Sequence, residues 1–84
     1  MNLEQWLEAN RLIGPDITTG ERERRRMQRT STLKKAQTNM AALRIAKSRG
    51  SMGYKLAKRL EKASAGTQAE FKVVDQMPEL APKG

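Results

Sequence analysis

The side chains of this chain best equipped for chemistry are its cations. Between Glu21 and Lys62, fourteen lysines and arginines stand against three acids, Glu21, Glu23 and Glu61. That block carries a formal charge of +11 in a chain whose net charge is +8, while residues 1–20 sum to −2 and residues 63–84 to −1. Such a block either lies on a polyanion or bears its own self-repulsion. Its first part, Arg22, Arg24, Arg25, Arg26 and Arg29, contains no lysine, and the planar guanidinium fork suits bidentate phosphate contact better than an ammonium does. On a helix, Arg22, Arg25, Arg26 and Arg29 share one face, with Arg24 to the side. Lys34, Lys35, Arg44, Lys47, Arg49, Lys55, Lys58 and Arg59 extend the same field. The expected ligand is the phosphate backbone of a nucleic acid. With about six phosphates contacted on duplex DNA, log K falls against log salt with a slope near −5. Backbone contacts carry no base information, so RNA and DNA both fit. Tyr54 is the lone aromatic in the block, too few for a platform of stacked bases.

The run RERRRMQR, residues 22–29, resembles the arginine-rich RNA-binding peptides of phage antiterminators. The resemblance spans those few residues and rests on their composition.

Other chemistries lack their parts. There is no cysteine, hence no disulfide or thiolate, and no histidine to serve as base or metal ligand. Ser31, Ser48, Ser51 and Ser64 have no histidine to activate them. The closest acids, Glu21 and Glu23, sit beside arginines that keep both ionised, the reverse of what a general acid needs. Gly50-Ser51-Met52-Gly53 is not followed by the Lys-Ser or Lys-Thr of a phosphate loop. The expectation is a non-catalytic protein without metal or cofactor. No run approaches a membrane span and the N-terminus lacks the basic-then-apolar order of a signal peptide, so the expected location is the cytoplasm or the interior of a particle assembled there. A basic amphipathic helix on an anionic membrane is disfavoured, because its apolar face would be Ala and Met and the single Trp lies outside it.

The elements that must position these cations read as all-α. Residues 1–14 predict a short helix: Asn2 is a candidate N-cap, Glu4 lies in the first turn, Glu8 can pair with Arg11, and Gly14-Pro15 stops the helix, with Gly14 able to take a left-handed cap. Residues 15–20 form a turn. Thr18 with Glu21 has capping-box spacing, which starts a basic central helix over 21–48 that no Gly or Pro interrupts. Its first half has nothing to bury, and its like charges should leave it frayed without a polyanion. Leu33, Ala36, Met40 and Leu43, with the stem of Lys47, form a seam along its second half. Residues 49–53 are a glycine hinge. A third helix follows over 54–65, capped by Ser51 and ended by Gly66, with Leu56 and Leu60 on one side and Lys55, Lys58, Arg59 and Lys62 on the other. Helix, glycine turn and helix invite comparison with a helix-turn-helix. Arg49 and Ser51, however, stand where that unit needs apolar residues, and no third core helix completes it. In residues 66–84, Phe71-Lys72-Val73-Val74 can be one helical turn or a strand added to a partner's sheet edge, and Met77 to Gly84 reads as an extended tail.

Leu, Ile, Val and Phe make up only fourteen of 84 residues, below the roughly 20% at which highly charged chains tend to disorder. The expected fold is therefore extended and low in core, ordered on a partner. A Trp needs a deep pocket that this chain has few residues to build, so Leu3, Trp6 and Leu7 read either as a docking helix for another protein or, equally, as a helix folded back on the chain itself. Leu33, Met40, Leu43, Leu56, Leu60, Phe71 and Val73 are the further docking candidates. Two functions fit: a basic protein that binds nucleic acid while its ends dock on a protein partner, or a structural adaptor of a virion or nucleoprotein assembly whose main contacts are with protein.

Overall fold

The computed structural model describes residues 1–80, and these are all-helical, with no strand among them. Five helices follow in order: α1 (Leu3–Ala9), α2 (Thr19–Ala36), α3 (Met40–Arg49), α4 (Tyr54–Ser64) and the single turn α5 (Val73–Gln76), then a 3₁₀ turn at Pro78–Leu80. α2 packs on α4, α4 on α5, and α1 on α3.

The predicted central helix is two helices. α2 ends with Gln37 in the left-handed region at φ 55°, where the Gln37 N–H donates to the Lys34 carbonyl and the Thr38 N–H to the Leu33 carbonyl. This is the Schellman arrangement with glutamine in the glycine position. Asn39 then caps α3, its side chain accepting from the Ala42 N–H at 2.8 Å. A cap by Asn and a left-handed Gln cost little enough for packing to impose the break. The expected seam survives it: Ala36 and Leu43 are buried, and Leu33 and Met40 lie against them from either side of the joint. α3 ends in the same way at Gly50, at φ 69°, with Ser51 donating to the Ala46 carbonyl.

Caps elsewhere are mixed. Asn2 and Gln5 form a reciprocal capping box on α1. Thr18 caps α2 through the Glu21 N–H, although the Glu21 carboxylate turns to arginines instead. Gly53, not Ser51, is the N-cap of α4 and offers no side-chain bond. α1 stops at Ala9 rather than running to Ile13, because the buried Asn10 amide folds back to donate to the Trp6 carbonyl at 2.9 Å. Gly14 is not in the left-handed region. A Cβ there would meet the Arg11 guanidinium, the end of a long side chain that would have to move aside.

The expectation of an extended chain is overturned. The radius of gyration is 13.0 Å, against about 12 Å for a compact chain of this length and about 28 Å for an unfolded one. Trp6 and Phe71 supply the bulk of the core, and buried Ala36, Ala46, Ala57, Ala63 and Ala69 let the helices approach closely around them. Alanine buries little area itself, but its lack of volume brings backbones together and spares large aliphatics. Of the residues expected to dock on a partner, Leu3, Trp6, Leu43, Leu60, Phe71 and Val73 are buried in this chain's own core, and Leu7, Leu33, Met40 and Leu56 pack against it. The C-terminal segment adds Ala69, Phe71 and Val73 to the cluster that holds Leu3 and Trp6.

That segment runs back along α4: the Phe71 N–H donates to Ser64 Oγ at 2.8 Å and the Val73 N–H to Glu61 Oε1 at 2.9 Å. It then holds the N-terminus. The Met1 ammonium donates to the Glu70 carbonyl and pairs with Asp75 at 2.8 Å, and the Lys72 N–H donates to the Met1 carbonyl. The Leu3 N–H donates to Gln76 Oε1 at 2.7 Å. Val73 and Val74 lie in helix rather than strand. Of the expected tail, Met77 to Leu80 is turn, and residues 81–84 lie outside the described residues.

Candidate nucleic-acid interface

The arginine cluster has more to do inside the fold than its charge suggests. Residues 25, 29, 32 and 36 form one stripe of α2, and its later members, Thr32 and Ala36, are buried. Its N-terminal half meets the loop after α1. There Arg22 Nε donates to the Leu12 carbonyl at 3.0 Å and Arg25 Nη1 to the Arg11 carbonyl at 3.0 Å. Glu21 sits between Arg24 and Arg25, which hold its carboxyl at a pKa of about 2, chiefly through their hydrogen bonds. Arg26 pairs with Glu23 at 3.4 Å. Gln28 donates to Asn10 Oδ1 at 3.3 Å, joining α2 to the Asn10–Trp6 bond at the end of α1. Arg11, which the sequence pairs only with Glu8, is the hub of the loop: it bonds Glu8, the Ile13 carbonyl and Asp16 together. Asp16 is correspondingly shifted down, first by hydrogen bonds from its local backbone and then by Arg11.

These cations are partly spoken for, and others are not. Among the described residues, no carboxylate lies within ion-pair distance of Arg22, Arg29, Lys34, Lys35, Arg44, Lys47, Arg49, Lys55, Lys58, Arg59 or Lys62. Arg29 is distinctive. It is partly buried, and its pKa is lowered by that burial and by the neighbouring charges of Arg44 and Arg26. Arg29 belongs to α2 and Arg44 to α3, so folding brings two like charges together from separate helices.

Arg25, Arg29, Arg44 and Lys47 line one wall of an open groove of about 1290 Å³. α1 also lines it, with Glu4, Gln5, Leu7 and Glu8, as do Arg11 and Asp16 of the loop after α1 and Met40 of α3. Lys34, Lys35, Arg49 and Lys55 are exposed outside it. Lys58 and Arg59 belong to a separate concavity on α4, which also includes Lys62 and Lys72. Arg59 Nε donates to the Ala36 carbonyl at 3.0 Å, holding the last turn of α2. The expected track of thirteen cations is thus divided among internal bonds, a groove, a second concavity and open surface. Lys62 continues the α4 face at the spacing of Lys58 and Arg59, a signal open to reading, whereas Lys72 arrives from a remote segment and had none.

Among the described residues, no three acids approach closely enough to hold a metal ion, and no helix is long and apolar enough to cross a membrane. Comparison of the chain with protein-family models, curated proteins and solved structures finds no match in any of the three.

Proposed function

We propose that this protein binds nucleic acid through phosphate contacts on the α2–α3 wall of the groove, with Arg29, Arg44 and Lys47 as the central ligands and Lys34, Lys35 and Arg49 extending the surface. The observation that carries this reading is that Arg29, partly buried, and Arg44, from separate helices, line the same groove with no carboxylate within ion-pair distance of either among the described residues. Guanidinium groups lining one groove repel each other, an anion between them relieves that repulsion, and a phosphate can accept from both forks. Glu4, Glu8 and Asp16 also line the groove, so the backbone of the ligand runs along α2 and α3 rather than filling it. Arg24, Arg25 and Arg26 shape the surface more than they contact the ligand, because their guanidinium groups are engaged internally.

The adaptor reading rested on Leu3, Trp6, Phe71 and their companions, and those side chains fill the core. Nucleic-acid binding is therefore the reading with more support. Fluorescence anisotropy of short RNA and DNA duplexes against salt tests it. Replacing Arg29 and Arg44 together by Gln should weaken binding and make the log–log salt slope shallower by about 2, roughly one per phosphate contact. A slope unchanged by that double substitution, or affinity indifferent to salt, would overturn the proposal.

A further inference from the structure

The cations of α4 are not a continuation of the groove. The concavity of about 560 Å³ that they line is formed by Lys58, Arg59, Glu61, Lys62, Ala65 and Lys72. It shares no residue and no helix with the groove of α1, α2 and α3. We propose that it is a second phosphate-binding face, so that one molecule holds two nucleic-acid segments at once. This inference rests on the reading of the groove given above.

Several features set this face apart from an ordinary solvated helix surface. Its cations come from two elements: Lys58, Arg59 and Lys62 lie on α4, and Lys72 lies on the returning C-terminal segment. The one acid in the lining, Glu61, is occupied by the Val73 N–H at 2.9 Å and pairs with none of the four. Lys72 has only a long contact with Glu70, at 3.9 Å. Arg59 is held in place by the Ala36 carbonyl, and that bond uses Nε alone, which leaves its two terminal nitrogens for a ligand. The groove is lined by three carboxylates, Glu4, Glu8 and Asp16, whereas Glu61 is the one carboxylate in the lining of this concavity. It is also too small to enclose a nucleotide chain, and suits one or two phosphates of a backbone lying across it. Two cationic faces on one small body give a bridge, since each segment is neutralised by its own set of side chains.

The test is a capture assay with the full chain. One duplex is immobilised and loaded with protein, a second fluorescent duplex is added, and retained fluorescence is read. The wild-type protein should retain the second duplex while sedimenting as a monomer when free. Lys58→Gln/Lys62→Gln/Lys72→Gln should lose most of the capture, while its affinity for a single duplex falls by no more than about threefold. Thermal melting confirms that the triple variant is folded, and Lys58→Gln alone gives a graded version of the same loss. Capture by the triple variant equal to wild type, capture that tracks dimer formation, or no capture despite firm single-duplex binding would each overturn the bridge. Loss of single-duplex binding by wild type would instead strike the groove reading beneath it.

Discussion

The two ends of the basic block, residues 21–29 and residues 55–62, look alike on paper and behave differently in the fold. Each sets at least four cations along one side of a helix. In the first, Arg22 and Arg25 turn inward to the carbonyls of Leu12 and Arg11, and Arg24, Arg25 and Arg26 are tied to Glu21 and Glu23. In the second, Lys55, Lys58 and Lys62 have no such partners and stand on the exposed side of a helix whose other side, Ala57, Leu60 and Ala63, is buried. A run of cations is therefore structural when loop carbonyls are left unpaired beside it. It remains available for a ligand when an apolar stripe already anchors the helix. Arginine fits the first role because its several donors can serve a carboxylate and a carbonyl at once.

The comparison breaks most severely if the acceptors of the first stretch are removed. Trp6→Ala empties the pocket that holds α1 and with it the loop carrying Arg11 and Leu12. A loss of about 3–5 kcal/mol is expected in chemical denaturation, with the Arg22 and Arg25 bonds lost together. A cost below 1 kcal/mol would mean that the loop is positioned without α1.

The direct contrast is Arg25→Ala against Lys58→Ala. The Arg25 side chain is only 18% exposed and bonds both Glu21 and the Arg11 carbonyl, so its loss should cost about 2 kcal/mol, while the Lys58 variant stays within about 0.5 kcal/mol of wild type. Equal costs in urea titrations would erase the distinction between the two stretches.

Acid should distinguish them as well. The folded Glu21 carboxyl titrates at about 2, below its usual 4.5, because of Arg24 and Arg25. A carboxylate depressed in the folded state stabilises it fully above the unfolded pKa, and that contribution is lost as pH falls from about 4.5 toward about 2. Melting temperature should decline over that window, and Glu21→Gln should flatten the decline. Lys58→Gln should leave its shape unchanged. An unaltered profile in the Glu21 variant would show that the arginine ties contribute nothing to stability.

The smallest effects concern the joint that ends α2. Gln37→Gly should raise stability by up to about 1 kcal/mol, since glycine accepts a positive φ at no steric cost, and Asn39→Ala should lower it by about 1 kcal/mol through loss of the α3 cap. Stabilisation by Asn39→Ala, measured by thermal melting, would argue for one continuous helix across residues 37–39.

Much of the local structure was open to reading in the residues themselves. The all-α character, the Asn2 and Thr18 caps, the stop at Gly50 and the span of α4 follow from short-range rules, in which each signal lies within a few residues of its effect. The break at Gln37 was not open to reading, because glutamine is an ordinary helix residue and only packing selects its left-handed state. The compact core was hidden for a related reason. Counting large aliphatics misjudged a chain that closes its helices on alanine and gathers Leu3, Trp6, Phe71 and Val73 from its two ends.

For the candidate interface, the sequence by itself determined the sign and density of the charge, the preference for guanidinium over ammonium in residues 22–29, and the absence of side chains for thiolate or imidazole chemistry. Only the tertiary structure decided which cations are free. Arg22, Arg25 and Arg59 are drawn to backbone carbonyls far along the chain, Arg29 and Arg44 line one groove from two helices, and Lys72 joins Lys58 and Lys62 from a remote segment. Formal charge is a property of residue type, whereas whether that charge is already matched depends on distances that only the folded chain sets.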